Sequence, residues 1–262
     1  MSIFDERSTK TELIDEPGIP FADWEICLHE LNTVNTYLGG HKITIAGVRN
    51  LLNDIPEKEL TICEIGCGGG DNLKAIASQF KHFKYIGVDL NEACTDFAAK
   101  NCSSLNAEFI CSDYRDVSFA KKPDIIFNSL FCHHFANNQL VEMLQWMKQN
   151  SSKGFFINDL QRHPFAYHAI KTLTLLFSRS YLVKNDGPIS VLRGFHKDEW
   201  KQLMLKAGIE RYTIEWRSAF RYLVIAKNEK QIIIRCCHRR RRIGRTVGGN
   251  FAWQARPSCG II

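Results

Sequence analysis

Hydrophobic runs alternate with helix-forming stretches in the middle of this sequence, and no other feature constrains the fold as strongly. The runs are apolar throughout instead of alternating with polar residues, which is typical of parallel strands buried on both faces. The pattern predicts an α/β, Rossmann-like, doubly wound domain with helices on both faces of a mostly parallel sheet. The predicted strands are 59–66, 82–90, 107–113, 123–130 and 153–160, and the predicted helices among and before them are 21–38, 39–55, 70–80, 91–101 and 137–150.

The alternation ends after Leu160. The stretch 162–183 is mostly apolar and predicts one long helix, and 184–195 predicts a loop. An amphipathic helix is expected over 196–209, because its apolar residues recur at helical spacing and a glycine follows them. The segment 211–227 predicts two strands, so we expect an antiparallel hairpin to complete the sheet.

The net charge of +6 is located in the C-terminal tail, which from Asn228 onward holds eight of the 34 Lys and Arg residues and one of the 28 acids. The rest of the chain is near neutral, so we expect no nucleic-acid partner. No apolar run reaches about 18 residues and the charged start is unlike a secretory signal, so we expect a cytoplasmic protein without a transmembrane segment. The ten cysteines show neither disulfide nor metal spacing, so the sequence predicts reduced thiols and no metal site.

The stretch CEIGCGGGDNL follows the first predicted strand and combines Glu64 with Gly66, Gly68 and Gly70. Glycines let a backbone approach a ligand closely and turn sharply into a helix. The spacing differs from the G-x-G-x-x-G pattern of pyrophosphate binding, which disfavours a nicotinamide dehydrogenase. A carboxylate directly before the loop suits a ligand that carries a positive amino group.

Two further acids end predicted strands, where ligands bind in sheets of this type. Asp89 could accept hydrogen bonds from both hydroxyls of a ribose, or it could be the N-cap of the helix 91–101. Asp113 could meet an adenine amino group. It could equally form a turn together with Ser112 and Asp116.

These motifs resemble those of the class I S-adenosylmethionine-dependent methyltransferases. The segment 64–70 matches their first motif, Asp89 their ribose acid and Asp113 their adenine-side acid. The sequence is similar to the small-molecule branch that includes quinone-biosynthesis methyltransferases, whose fourth strand often ends in a similar His-His pair. The resemblance covers roughly 40–227. It implies S-adenosylmethionine as cofactor and a seven-stranded sheet whose last strand is antiparallel.

The resemblance implies methyl transfer to a small, apolar acceptor, which could be aromatic, phenolic or a quinone precursor, at oxygen or carbon. A non-catalytic, cofactor-sensing or RNA-binding protein on the same fold is the alternative, and the near-neutral body argues against the RNA-binding version. The expected cofactor contacts are Glu64, Gly66, Cys67, Gly68, Gly70, Asp89, Leu90, Asp113, Tyr114 and Asn128.

His133 and His134 follow the fourth predicted strand, where donor and acceptor should meet. An unperturbed histidine has a pKa near 6.5, so either residue could be the general base. Alternatively, one histidine packs under the cofactor and the other caps the helix that starts near Asn137. Members of the resembling family also work by proximity alone, so a base is not required.

The acceptor side is expected after the fifth strand. Asn158 and Asp159 end that strand and are predicted to be polar groups near the acceptor. The stretch 160–195 is either an ordinary core element or a cap over an apolar acceptor pocket, in which Tyr167 or Arg193 supplies a polar contact.

Three regions follow from this pattern. Residues 1–40 are expected to be a loose lead-in and a lid helix, and 41–227 the methyltransferase domain. His41 lies in the lid region and is a minor candidate for contact with the cofactor. Residues 228–262 are expected to be a disordered tail, so truncation after Lys227 should leave cofactor binding intact.

The tail contains the stretch IIIRCCHRRRRIGRTVGG, which has neither paired zinc-ligand spacing nor stacking aromatics among its arginines. Back-translation from Gln231 and a shift by one nucleotide gives DAVIGGGGLAGLSAAILL, which is typical of the strand, glycine loop and helix of an FAD-binding domain. We therefore hypothesise that the tail is an out-of-frame translation of a neighbouring gene, and that this gene encodes an FAD-dependent oxidoreductase.

Overall fold

The computed structural model describes residues 2–52 and 59–228 of the chain, so the predictions for the tail beyond Asn228 lie outside the described residues. The strands are β1 (Thr61–Ile65), β2 (Lys84–Asp89), β3 (Ala107–Cys111), β4 (Ile125–Ser129), β5 (Gly154–Leu160), β6 (Tyr212–Arg217) and β7 (Arg221–Lys227). The α-helices are α1 (Phe21–Tyr37), α2 (Gly40–Leu52), α3 (Asp71–Ala77), α4 (Glu92–Asn101), α5 (Asn137–Asn150), α6 (Pro164–Phe177), α7 (Tyr181–Arg193) and α8 (Lys197–Lys206). Short 3-10 turns lie at Leu13–Asp15, Tyr114–Asp116 and Cys132–His134.

The strands form one seven-stranded sheet in the order β3-β2-β1-β4-β5-β7-β6. Strands β1 to β5 are parallel, whereas β7 runs antiparallel to both β5 and β6. The predicted fold class, its antiparallel last strand and the hairpin within 211–227 are therefore confirmed. The strand order reverses between β1 and β4, and ligands bind beyond the carboxyl ends of the strands at such a switch point.

Alternating side chains of the central strands enter two separate cores. Ile62 and Phe127 pack with the α2 and α3 side, whereas Cys63 and Ile126 pack with α5 and α8 on the other side. Such alternation is expected of strands buried on both faces. Each fully buried side chain of this size contributes roughly 1.5–3 kcal/mol, so the two cores hold the strand ends, and with them the candidate site, in place.

The region after β5 differs from the sequence-based prediction. The single helix predicted over 162–183 is broken after Phe177, and the loop predicted over 184–195 is largely helix α7. The hydroxyl of Ser180 caps α7 by accepting a hydrogen bond from the amide of Val183. Pro188 lies inside α7 and is buried. Tertiary burial of this segment outweighs the turn preference that its Asp-Gly-Pro sequence has locally.

The polar lead-in is not loose. Both carboxylate oxygens of Asp186 in α7 accept backbone hydrogen bonds from the lead-in, at 2.8 Å from the amide of Leu13 and 3.0 Å from that of Ile14. These bonds fix the first residues of the Leu13–Asp15 turn, which a polar sequence would otherwise leave to solvent. In residues 2–52 and 59–228, no helix is both long enough and apolar enough to cross a bilayer.

Candidate active site

The loop between β1 and α3 turns at three glycines with positive φ angles. The φ angle is 69° at Gly66, 49° at Gly68 and 75° at Gly70, a region that residues with a side chain rarely adopt. The amides of Gly66 and Cys67 donate to the carbonyl oxygen of Val88, at 2.8 and 3.1 Å. The loop is thereby fastened to β2 at the carboxyl end of the sheet.

Glu64 is buried at the end of β1 with one carboxylate oxygen satisfied and the other free. Its Oε1 accepts a hydrogen bond of 2.8 Å from the side-chain amide of Asn72, whereas its Oε2 is buried and has no hydrogen-bond partner among the described residues. Burial raises the pKa of Glu64 well above its usual range. A buried acceptor without a donor is costly, so this oxygen is suited to a ligand that brings a donor, such as an amino group.

Asp89 ends β2 and connects the glycine loop to the following turn. Its Oδ2 accepts from the amide of Gly68 at 2.8 Å and its Oδ1 accepts from the amide of Asn91 at 3.0 Å. Asn91 is the N-cap of α4, because its side chain accepts from the amide of Ala93. The cap role that the sequence offered to Asp89 is thus filled by Asn91. The carboxylate of Asp89 keeps lone pairs free for a ligand.

The acid after β3 is engaged locally. Asp113 caps the Tyr114–Asp116 turn and its carboxylate binds the guanidinium of Arg115, at 3.0 and 2.6 Å. Its hydrogen bonds with Arg115 lower the pKa of Asp113. The ring of Tyr114 is buried edge-on against Trp146, with 5.2 Å between ring centroids. The ring of Tyr114 is thus largely occupied by this packing, and its contact with the cofactor stays a prediction.

The predicted contact between the side chain of Asn128 and the cofactor is not supported by the position of that side chain. Its side chain points into the core beneath β4, where its amide lies near the sulfur atoms of Met143 and Met147 and its oxygen accepts from the thiol of Cys132. The residue is fully buried, so its side chain is not available to a ligand. Leu90 shows the opposite behaviour. It is 74% exposed at the end of β2, which leaves its apolar side chain free to cover a flat ligand.

A polar cluster after β4 is made of His133, His134, Glu12, Asp15 and Asp159. The Nδ1 atom of His133 lies 2.7 Å from Oδ1 of Asp159, and Nδ1 of His134 lies 2.9 Å from Oδ1 of Asp15. The Nε2 atoms of both histidines point towards Glu12, with Nε2–O distances of 3.7 and 4.0 Å. The structure thus brings the predicted catalytic pair together with two acids from the N-terminal lead-in.

Two carboxyls of this cluster have displaced pKa values in opposite directions. Burial raises the pKa of Glu12 to about 7, against the opposing effect of His134. Burial would also raise the pKa of Asp159, but the charge and the hydrogen bond of His133 outweigh burial and lower it. A low pKa keeps Asp159 ionised, so its carboxylate binds Nδ1 of His133 and orients the ring, with Nε2 directed towards Glu12.

Arg193 binds the backbone of the two histidines and does not line the cavity described below. Its Nε donates to the carbonyl oxygen of His133 at 2.8 Å, and its other nitrogens donate to the carbonyl oxygens of His134 and Lys10. Arg7 adds a hydrogen bond of 2.9 Å to the carbonyl oxygen of Arg193 itself. The prediction that Arg193 contacts the acceptor directly is therefore replaced by a positioning role.

The other predicted polar contacts lie away from the acceptor side. The amide of Asn158 donates to Ser129, Thr44 and the backbone of α2, and its oxygen is buried without a partner. Tyr167 packs edge-on against Phe4, with 5.7 Å between ring centroids, and does not line the cavity described below. His41 bridges α1 and α3 through hydrogen bonds to Asn32 and Asn72, each of 3.0 Å.

An apolar cavity of about 320 Å³ opens beside the cluster. Its walls come mainly from α1, α6, α7 and the turn between β6 and β7, and its polar lining includes Glu12, both histidines and Arg221. Burial lowers the pKa of Arg221 to about 10, and its NH1 has no hydrogen-bond partner among the described residues. The apolar lining residues are Ile14, Leu31, Val34, Leu38, Leu130, Leu160, Phe165, Ala166, Ala169, Ile170, Leu173, Leu182, Val183, Val191, Ala219 and Phe220.

Sequence reasoning missed three members of this site. Glu12 and Asp15 lie in a polar segment without any periodic pattern, and Arg221 opens a strand that is otherwise apolar. Nothing in their neighbourhood signals a function, because each meets its partners only through tertiary contacts. The available signal was that ligands bind at the carboxyl ends of parallel strands, and this signal did identify His133, His134 and Asp159.

Comparison with known proteins agrees with this geometry. Residues 62–154 match the family model described as a methyltransferase domain. An 82-residue segment is 26% identical to the malonyl-[acyl-carrier protein] O-methyltransferase of Priestia megaterium, and the match covers 31% of this chain and 30% of that protein. The match thus spans less than a third of the length of this relative.

Solved structures with the same fold include several methyltransferases. The plantazolicin methyltransferase BpumL, solved with SAH, superposes with a TM-score of 0.62 at 18% identity, over 80% of this chain and 94% of that one. Human N-acetylserotonin methyltransferase, solved with SAM, gives 0.59 at 14% identity, over 80% and 57%. A SAM-dependent methyltransferase from Aquifex aeolicus gives 0.56 at 15% identity, over 80% and 99%.

Fold, glycine loop and matched domain together identify the class. Residues 62–154 carry a methyltransferase domain, and the chain has the class I fold that is also found in methyltransferases solved with SAM or SAH. The sequence-based prediction of the class, its cofactor and its fold is confirmed.

Proposed function

We propose that this protein transfers a methyl group from S-adenosylmethionine to a small, apolar acceptor at an oxygen or ring carbon. The observation that carries this proposal is the cavity between α1, α6 and α7, which is mainly apolar but ends at a buried His133–Asp159 pair. Cavities of this kind suit ligands with a large apolar surface and few polar groups. The stretch 160–195 then acts as the acceptor cap.

The proposed cofactor site uses the residues at the strand ends. Oε2 of Glu64 is buried and has no hydrogen-bond donor among the described residues. This supports a contact with the amino group of the methionine moiety, which would supply the missing donor. Asp89 is assigned to the ribose hydroxyls and Leu90 to one face of the adenine. Asp113 is assigned to the adenine amino group, which requires it to share its carboxylate with Arg115. Gly66, Cys67, Gly68 and Gly70 supply the close backbone approach.

The proposed chemistry needs alignment more than strong catalysis. The acceptor atom attacks the methyl carbon in line with the sulfur–carbon bond, and the electrons of that bond return to sulfur. A hydroxyl or ring-carbon acceptor also loses one proton, which passes to Nε2 of His133 or His134. His133 and His134 are proposed to contact the acceptor atom that reacts, while the buried NH1 of Arg221 supports a second contact with an acceptor oxygen. The apolar walls exclude water from the sulfonium.

Binding of SAH to the full chain, measured by isothermal titration calorimetry, tests the cofactor half of the proposal. We expect one binding site, and no detectable binding would contradict the proposal. A panel of phenols, hydroquinones and azole-containing peptides, incubated with S-adenosylmethionine and examined by mass spectrometry, tests the acceptor half. Methylation confined to the phenols and hydroquinones would support the proposal, whereas methylation confined to the peptides would contradict the proposed acceptor class.

A further inference from the structure

We propose that Glu12, His133 and His134 form a binding site for one divalent transition-metal ion of the zinc type, in the wall of the proposed acceptor cavity. The part of this inference that concerns the acceptor rests on the proposed function. The sequence predicted no metal site, because the three residues come from the lead-in and from the turn after β4, and no ligand spacing connects them. Only the fold brings them together.

The geometry of the three side chains fits one ion. One ligand atom from each residue can be chosen so that all three lie within 4.8 Å of one another. The Nε2 atom of His133 is 3.7 Å from Oε1 of Glu12, and Nε2 of His134 is 4.0 Å from its Oε2. Ligands of tetrahedral zinc, each bound at about 2.0–2.2 Å, lie roughly 3.4 Å apart. Small side-chain rotations would therefore complete the coordination.

The hydrogen bonds behind the histidines are an independent indication. Each histidine uses its Nδ1 atom to bind a carboxylate, Asp159 for His133 and Asp15 for His134, at 2.7 and 2.9 Å. A carboxylate behind each histidine is the arrangement found around metal-bound imidazoles, because it fixes the tautomer and leaves Nε2 free to bind the ion. Two such pairs converge here on one carboxylate.

Glu12 itself lacks the partner that its burial requires. Its Oε1 is buried and accepts no hydrogen bond within the described parts of the chain, while Oε2 accepts one from Ser190. The nearest cationic atom to Oε1 is Nε of Arg193 at 3.6 Å, and that atom already donates to a backbone carbonyl. An unsatisfied buried carboxylate oxygen that lies 3.7 Å from Nε2 of His133 is a place where a cation would be stabilised.

The charges around the site also favour a cation. The acids that face it are Glu12, Asp15, Asp159 and Asp186. The cationic side chains are Arg221, which lines the same cavity, and the pair Arg7 and Arg193. Both arginines direct most of their donors to backbone carbonyl oxygens. The acids outnumber the arginines, so a bound cation would reduce the net negative charge of this cluster.

Three protein ligands leave at least one coordination position open, which is typical of catalytic zinc sites. All three residues line the apolar cavity, so the open position can face the acceptor. A hydroxyl oxygen bound there would release its proton to a water molecule more readily, since a zinc ion lowers the pKa of a bound hydroxyl by several units. With an ion bound, the histidines would act on the acceptor through the ion and would no longer contact the reacting atom directly.

The test compares metal content and cofactor binding in the same samples. The full-length chain is stripped with a chelator, incubated with Zn²⁺, desalted and examined by mass spectrometry of its metal content, alongside Glu12→Gln and His134→Gln. We expect the wild-type chain to hold one equivalent more than either variant. His82→Gln, which alters an exposed histidine far from the site, is the control and should match the wild type. Equal metal content in wild type and both site variants would overturn the proposal.

A second measurement guards against variants that merely fail to fold. Asp15→Asn removes only the acid behind His134 and should weaken Co²⁺ binding about 10- to 100-fold. The Co²⁺ complex should have the visible bands of nitrogen and oxygen ligands, and a thiolate charge-transfer band in their place would contradict the assignment. If the wild-type chain binds SAH but takes up no ion at this site after incubation with Zn²⁺, the metal inference fails and the proposed function stands. If SAH does not bind, the proposed function fails whatever the metal content.

Discussion

The amide of Gly68 donates a hydrogen bond of 2.8 Å to Oδ2 of Asp89. This bond connects the glycine loop to the acid at the end of β2. The same carboxylate also accepts from the amide of Asn91, which begins the cap of α4. Asp89 therefore has a structural role and remains available to a ribose at the same time. A change at Asp89 should affect both stability and cofactor binding.

We predict that Asp89→Asn weakens SAH binding about 10- to 100-fold, because an amide loses the charge and replaces one acceptor by a donor that faces a backbone amide. The melting temperature should also fall. Calorimetric titration and thermal unfolding measure the two effects. Asp96→Asn is the matched control, since Asp96 is exposed on α4. Unchanged SAH affinity in Asp89→Asn would remove Asp89 from the cofactor site.

Glu64→Gln should change the free energy of unfolding and the affinity for SAH in opposite directions. Burial raises the pKa of Glu64 above its value in the unfolded chain, so its ionisation opposes folding of the cofactor-free protein. The wild type should therefore lose stability relative to Glu64→Gln as pH rises above the unfolded pKa, by at most about 1.4 kcal/mol per pH unit. The difference should level off once the folded pKa is passed. Denaturant unfolding at several pH values measures this difference, and a pH-independent difference would contradict the prediction.

The same variant should bind SAH more weakly, because a neutral amide cannot form an ion pair with the amino group of the ligand. Hydrogen bonds to charged groups contribute roughly 1.5–3 kcal/mol, so we expect at least a tenfold loss of affinity. Glu64→Gln keeps an oxygen that can accept from Asn72, so local packing should survive. A variant that is both more stable at neutral pH and weaker in SAH binding would identify Glu64 as a functional acid. Unimpaired binding would leave it a structural one.

Gly66→Ala and Gly208→Ala form a pair that separates backbone strain from steric conflict. Both glycines have positive φ, 69° and 67°, so alanine should cost about 1–2 kcal/mol at either position. A β-carbon at Gly66 would also collide with the ring of Phe131, whereas none of the described atoms lies within 4 Å of one at Gly208. We expect Gly208→Ala to keep full SAH affinity and Gly66→Ala to lose stability and affinity further. Equal effects of the two substitutions in thermal and calorimetric measurements would argue against this role of the loop.

Ala169→Trp tests the apolar cavity without touching the cofactor site. Ala169 lines the cavity from α6, and a large indole there should occupy much of the space of about 320 Å³. We expect at least a tenfold rise in the KM for the acceptor, with SAH affinity unchanged. His168→Trp places the same side chain at the neighbouring exposed position of α6 and should leave both quantities unchanged. A KM that does not respond to Ala169→Trp would exclude this cavity as the acceptor site.

The local sequence was most informative where function depends on the end of a single strand. Glu64 and Asp89 are recognisable because each directly follows a buried apolar run, and parallel strands end at one edge of the sheet. The same rule failed for the side chains of Asn128 and Tyr114. Each residue is near a strand end, but its side chain points into the core. The direction of the Asn128 side chain depends on its contacts with α5, and that of Tyr114 on its packing against Trp146.

The segment after β5 shows why propensity alone was insufficient. The Asp-Gly-Pro sequence before Ile189 is typical of a turn, yet it lies within α7. Its helical state depends on contacts with the lead-in, where Asp186 binds the amides of Leu13 and Ile14. These partners are distant in the sequence, so no local pattern could reveal them.

The sequence by itself determined the alternating strands and helices, the glycine loop after β1 and the acids at the strand ends, because these depend on periodicity and on neighbouring residues. The tertiary structure alone decided that Glu12 and Asp15 meet His133 and His134, and that Arg193 supports this turn from behind. The physical reason is the range of the interactions. Backbone geometry and burial patterns are encoded locally, whereas a cluster of charged side chains exists only after distant segments have packed together.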